Sequence, residues 1–147
     1  YVFKGMRKKP EVMEKVFWKL GDQILKYMEL VKEYGGDLIS YADSSGGVNI
    51  LGPKMMEAVT VNFTYPFLKK VEQLADDKTM ILLCPKTTLA LIGTEKAKFV
   101  DHQLEEPIGY AQACIHMIGK AHFAGQMCIK NVGYQLNHGI FKEVKLL

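Results

Sequence analysis

Apolar residues recur at three- and four-residue steps over the first quarter of the chain. Such spacing predicts one long amphipathic helix over residues 10–34, because residues so spaced share one helical face. Pro10 suits a first helical turn, and Gly35-Gly36 ends the pattern. The apolar positions assigned to the buried face are Val12, Val16, Leu20, Ile24, Tyr27/Met28 and Val31. Burial of this face predicts a cost of roughly 2–5 kcal/mol for Leu20→Ala.

Short apolar runs and further helical patterns alternate along the rest of the chain. Strands are predicted over 37–43, 79–84 and 121–129, and helices over 53–75, 87–92 and 107–119. Pro66 is expected to break or kink the helix over 53–75. The charged stretch 95–106 is interpreted as loop with some helix. Residues 133–147 alternate around Asn137-His138-Gly139, which predicts a C-terminal hairpin.

Alternation of helices with short apolar strands predicts an α/β fold built on a mainly parallel sheet. The pattern fits the C-terminal portion of a (β/α)8 TIM-type barrel, since a whole barrel takes ~250 residues. Residues 1–147 are therefore expected to form a single domain that is a fragment of a longer barrel. An open sheet edge would then be covered by missing sequence, by a second copy in a homo-oligomer, or by the hairpin.

Composition narrows the classes of function. Of the 147 residues, 48% are hydrophobic and 24% charged, which is ordinary for a globular protein. A net charge of +3 from scattered basic residues does not favour nucleic acid or an anionic membrane as partner. No apolar run has the length of a membrane span. Three cysteines without a disulfide-framework spacing favour a reducing cytoplasm.

Candidate chemistry lies where two predicted strands end. Cys84 closes an apolar run before Pro85, and Asp43-Ser44 begin a turn of small and polar residues after the first strand. The carboxyl ends of parallel strands meet at one edge of a sheet, so Asp43, Ser44 and Cys84 are predicted to converge. Tyr41 shares a strand face with Asp43 and is expected to form a wall of the pocket. A plain turn capped by Asp or Ser is the alternative for residues 43–47.

The order of these motifs resembles the uroporphyrinogen decarboxylase superfamily, closely over residues 10–94 and weakly afterwards. The resemblance rests on the long helix, the acidic-Ser-x-x-Gly turn at 43–47, the Gly52-Pro53 helix start, Tyr65-Pro66-Phe67 and the strand ending at Cys84. It implies a (β/α)8 barrel whose active site lies at the carboxyl ends of the strands. One branch decarboxylates a tetrapyrrole without a metal. The other passes a methyl group from a corrinoid protein to a thiol or similar acceptor, using zinc.

Carried over by residue, the resemblance implies catalytic roles for Asp43 and Ser44 and substrate contact by Tyr41 and Ser44. It also implies a metal-ligand role for Cys84. The methyltransferase branch has His-x-Cys at the zinc strand, whereas this chain has Leu82-Leu83-Cys84. Leucine donates no ligand, so zinc is expected to bind weakly or not at all. Residues that could replace the histidine are Cys114, Cys128, His102, His116 and His122, and no spacing selects one of them.

Three functions remain open from the sequence. The favoured one is a corrinoid-dependent methyltransferase that works with a corrinoid protein and a small-molecule methyl acceptor. The second is a metal-free uroporphyrinogen decarboxylase-type lyase. The third is a non-catalytic scaffold domain that has lost the zinc histidine and pairs with another subunit.

Overall fold

The fold consists of a mixed β-sheet with helices packed against it. The structure is a computed structural model, and it describes residues 2–43, 46–105, 107–131 and 133–147, apart from the side chain of residue 129. The helices are α1 Val2–Lys8, α2 Pro10–Glu33, α3 Val48–Leu51, α4 Pro53–Val59, α5 Tyr65–Val71, α6 Pro85–Gly93 and α7 Tyr110–His116. The strands are β1 Leu38–Tyr41, β2 Met80–Leu83, β3 Ala97–Gln103, β4 Ile108–Gly109, β5 Phe123–Ala124, β6 Gln135–Leu136 and β7 Ile140–Leu146.

The main sheet has five strands in the order β1-β2-β5-β7-β3. The β1–β2 and β2–β5 pairs are parallel, whereas β7 runs antiparallel to both β5 and β3. The predicted α/β class is therefore confirmed, and the strands found within the three predicted ranges are parallel neighbours, although β5 covers only two residues of the range 121–129. Over the residues that the structure describes, the sheet is open, with β1 and β3 at its two edges.

The long helix α2 is present as predicted, but its predicted buried face is only partly right, because Met28 and Val31 pack on the core and the other predicted positions do not. Val12, Val16, Leu20, Ile24, Tyr27 and Leu30 are all exposed, and together they form what is called here the exposed α2 stripe. Leu20 keeps 55% of its surface accessible, whereas Met28 keeps 3%. The adjacent face, with Trp18, Leu25, Met28 and Val31, packs on the core.

A small residue decides which face of α2 packs. Gly21 is buried, and a Cβ there would lie 3.2 Å from the ring of Phe67 and 3.3 Å from that of Phe63. Trp18 adds an edge contact with Phe63, with ring centroids 5.4 Å apart. The aromatic rings therefore approach the helix backbone on this side, which turns Leu20 toward solvent.

The helical segment after Pro53 continues through Pro66 instead of breaking there. A π-helical turn, Thr60–Thr64, lies between α4 and α5, and Pro66 falls in the first turn of α5. Proline has no N–H group and crowds the carbonyl four residues earlier, and the wider π turn accommodates both effects. The prediction of a break at Pro66 is thus corrected to a local change of helical pitch.

The last third of the chain departs most from the predictions. Residues 97–103, expected as loop with some helix, form strand β3. The predicted C-terminal hairpin is wrong, because β6 pairs with β4 while β7 pairs with β3 and β5. The turn itself exists, with Gly139 at a φ of 62° and its N–H donating to the carbonyl of Leu136. Strand β7 thus pairs with the distant strand β3 and not with β6, its neighbour in sequence.

Two apolar clusters lie on opposite faces of the sheet. One joins alternate strand residues such as Ile39, Ile81 and Leu83 to α2, α5 and α6. The other joins Met80 and Leu82 to α7 and to Phe141 of β7. Within the described part of the chain, no helix has both the length and the apolar character that crossing a membrane requires.

Candidate functional site

The carboxyl ends of β1 and β2 lie side by side. Tyr41 is paired with Leu83 in the parallel register, and the N–H of Cys84 donates to the carbonyl of Tyr41 at 3.1 Å. Cys84 is the residue immediately before α6, because Pro85 fixes the backbone angle of a first helical turn. Its thiol is partly exposed.

The loop after β1 is fastened to the start of α6. The Thr87 hydroxyl donates to the carbonyl oxygen of Asp43 at 3.1 Å, and Oδ1 of Asp43 accepts the N–H of Gly46 at 3.0 Å. The Thr87 bond holds the Asp43 backbone near the Cys84–Pro85 turn, and the Gly46 bond closes the loop on itself. Ser44, predicted as catalytic and substrate-binding, lies outside the described residues.

Tyr41 lies on the face of the sheet that α2, α5 and α6 cover. Its ring centroid is 5.6 Å from that of Phe67 in α5. Burial, and secondarily the negative charge of Asp43, raises the pKa of the Tyr41 phenol above its ordinary value. The phenol therefore stays protonated and can donate a hydrogen bond. Contact between Tyr41 and a substrate stays a prediction.

Leu82, at the position of the histidine in the resemblance, belongs to the opposite apolar cluster. It is 5% exposed and packs in the same cluster as Met80, Ala124 and Phe141. Over the described ranges, no group of three or more His, Cys, Asp or Glu side chains is placed to hold a metal ion. The described residues around Cys84 therefore do not fit a zinc site.

The thiols and imidazoles that could have replaced the histidine have other surroundings. Burial raises the pKa of the Cys114 thiol to about 11, and the neighbouring Tyr110 hydroxyl offsets only part of this rise. His122 Nδ1 lies 3.2 Å from Oε1 of Glu72. Burial raises the pKa of the Glu72 carboxyl, but the interactions with Lys69 and His122 outweigh burial, so this pKa is lowered overall. His102 and His116 line a separate cleft beside α7.

Sequence reasoning missed the pairing of His102 with Glu143. Nε2 of His102 lies 2.8 Å from Oε2 of Glu143, across 41 residues of sequence. The only available signal is the alternation of residues 97–103, which on a strand puts Val100 and His102 on one face. Without the β3–β7 register, that alternation does not identify Glu143 as the partner.

No protein-family model matches the chain, and neither the curated proteins nor the solved structures give a significant match. The functional interpretation therefore depends on the strand-end geometry and on the resemblance in sequence.

Proposed function

We propose that the chain belongs to a (β/α)8 barrel protein of the uroporphyrinogen decarboxylase type and takes part in corrinoid-dependent methyl transfer. The acceptor is a thiol or a similar small molecule, and the methyl donor is a methylcobamide held by a partner protein. The parallel β1–β2 pair, which brings Cys84 and Asp43 to neighbouring strand ends, is the observation that carries this proposal. Active sites of α/β folds lie at this edge of the sheet.

Asp43 has the chemistry required at the acceptor. A carboxylate within hydrogen-bond reach of a bound thiol can accept its proton, and the thiolate is the nucleophile. The S–H proton would pass to Asp43, the sulfur would bond to the methyl carbon, and the donor's cobalt–carbon bond would break with its electron pair left on cobalt, which balances the transfer. Cys84 contributes a partly exposed thiol beside the acceptor. No step passes through zinc, since the described residues do not fit a zinc site at Cys84.

Methyl transfer can be measured with free methylcobalamin and 2-mercaptoethanol, following methylcobalamin absorbance and the thioether by mass spectrometry. Loss of the proton acceptor in Asp43→Asn should lower the rate by about 10²-fold or more, the usual size of a general-base contribution. Asp77→Asn is the matched control, because Asp77 is an exposed acid before β2. Equal rates in the two variants would contradict a role for Asp43. Release of carbon dioxide from uroporphyrinogen, without methyl transfer, would instead favour the lyase alternative.

A non-catalytic scaffold that pairs with another subunit is the second candidate, favoured by the exposed α2 stripe. Apolar surface of this extent on a helix is typical of an interaction surface. The double substitution Leu20→Lys/Ile24→Lys should abolish any concentration-dependent association seen by light scattering, with circular dichroism unchanged. Association that persists in this variant would remove the α2 stripe from the proposal.

A further inference from the structure

A cleft of about 950 Å³ lies apart from the Cys84–Asp43 edge, between the end of β3, the segment leading into β4, and α7. Its polar lining includes His102, Gln112, His116 and Lys120. Leu104, Ile108, Ile115 and Met117 supply an apolar wall. Small-molecule sites typically combine such a wall with a few convergent polar groups.

His116 and Lys120 are hydrogen-bonded to each other at one side of this cleft. Nζ of Lys120 lies 3.1 Å from Nε2 of His116, and both side chains are exposed. The ammonium donates to the imidazole, which accepts only while Nε2 is unprotonated. An anion in the cleft can accept hydrogen bonds from Lys120 in place of His116, and a charged donor makes that bond stronger than a neutral one.

His102 supplies a fixed imidazole to the same cleft. Its Nε2 is bonded to Glu143, whose side chain is only 15% exposed, and its ring lies edge-on to Phe141 with centroids 6.4 Å apart. The carboxylate orients the ring, as second partners do for functional histidines. The other ring nitrogen, Nδ1, is then available to a polar atom of a ligand.

We propose that this cleft binds a small organic monocarboxylate. Lys120 holds the carboxylate in place of its bond to His116, the apolar wall receives the carbon skeleton, and His102 bonds a polar atom of the ligand. Glu105 also lines the cleft and adds a negative charge, which repels a dianion such as phosphate more strongly than a monocarboxylate. The site is independent of the proposed methyl transfer, because it shares no residue with the Cys84–Asp43 edge.

Hexanoate is the probe, titrated into the uniformly 15N-labelled chain and followed by amide chemical shifts. Shifts should map to residues 102–120, and Lys120→Gln should weaken binding roughly tenfold or more, as expected for a charge-assisted bond. Lys145→Gln is the matched control, since Lys145 is an exposed lysine on β7 that does not line the cleft. Its affinity for hexanoate should equal that of the unmodified chain.

Hexanamide and inorganic phosphate are the comparison ligands. Binding of hexanamide as tight as that of hexanoate would overturn recognition of the anion, and tighter binding of phosphate would overturn the monocarboxylate class. Absence of shifts with hexanoate, or equal weakening by Lys145→Gln, would overturn the site itself.

Discussion

At the scale of single residues, Gly125 has very little space for a side chain. A Cβ at this position would lie 2.2 Å from Oγ1 of Thr88 and 2.9 Å from Cγ2 of Val144. Gly125→Ala should therefore force α6 and β7 apart and lower the free energy of unfolding by about 1–3 kcal/mol. Urea unfolding followed by circular dichroism measures this loss.

Gly93 provides the matched control for Gly125. It is the last residue of α6, and a Cβ there would meet no atom within 4 Å. Gly93→Ala should be neutral or should stabilise the protein by up to about 1 kcal/mol, because alanine loses less backbone entropy on folding. Equal unfolding midpoints for Gly125→Ala and Gly93→Ala would contradict the close packing of α6 on the sheet.

Cys84, at the strand end, and Cys114, in α7, should differ in their reactivity toward an alkylating reagent. Cys114 is buried, and burial raises its pKa to about 11, so the thiolate is scarce near neutral pH. Cys84 is partly exposed. Iodoacetamide at pH 8 should label Cys84 well before Cys114, as measured by peptide mass spectrometry. Labelling of Cys114 at the rate of Cys84 would show that α7 does not cover it.

Part of the residue-scale arrangement follows from local sequence, and part does not. Cys84 at a strand end is predictable, because an apolar run followed by proline defines both the strand and the helix start. The contact of His102 with Glu143 is not predictable from local sequence, since it depends on the register of β3 against β7. Leu82 could be recognised as a lost ligand, but not as a member of the apolar cluster around Phe141.

At the scale of elements, substitutions on the two faces of α2 test which face packs on the core. Leu20 is 55% exposed, so Leu20→Ala should now cost less than about 1 kcal/mol, in place of the 2–5 kcal/mol expected from sequence. Met28 is 3% exposed, and Met28→Ala should cost about 2–5 kcal/mol. Thermal or urea unfolding of the two variants separates them. A larger loss for Leu20→Ala would show that the exposed α2 stripe is buried in solution.

The sequence could define α2 but not its orientation. Apolar residues occupy two neighbouring faces, so the 3.6-residue period finds a helix without choosing between Leu20 and Met28. The face of α2 that packs on the core is determined by the tertiary contact of Gly21 with Phe63 and Phe67. Strand β3 was missed for a related reason, since an edge strand carries charges such as Lys98 and Asp101 that resemble a loop.

At the scale of the whole molecule, two carboxylates should link stability to pH. Hydrogen bonding to Lys32 lowers the pKa of Asp76, and bonds from Lys69 and His122 lower that of Glu72 against the effect of burial. The Asp76 bond, 2.6 Å from Oδ2 to Nζ of Lys32, ties the end of α2 to the turn before β2. Both groups therefore join separate elements of the fold.

A lowered carboxyl pKa stabilises the folded state above the unfolded pKa, and this stability is lost as pH falls through the folded value. The unmodified protein should thus lose stability progressively below about pH 5. The double variant Asp76→Asn/Glu72→Gln should be less stable near neutral pH and should show a flatter decline on acidification. Unfolding midpoints measured across the acid range test this, and an unchanged slope would exclude these two groups as the source.

The position of β7 between β5 and β3 has a consequence for synthesis on the ribosome. Strand β3 is joined to the sheet through residues 140–146, which are translated about 40 residues after it. At ordinary elongation rates, β7 is synthesised roughly 2–8 s after β3. During that delay the backbone groups of β3 are unpaired, and Lys98 and Asp101 are the charges that discourage a neighbouring nascent chain from pairing with it. The charged residues that make β3 resemble a loop in the sequence thus also protect it from wrong pairing while the chain is incomplete.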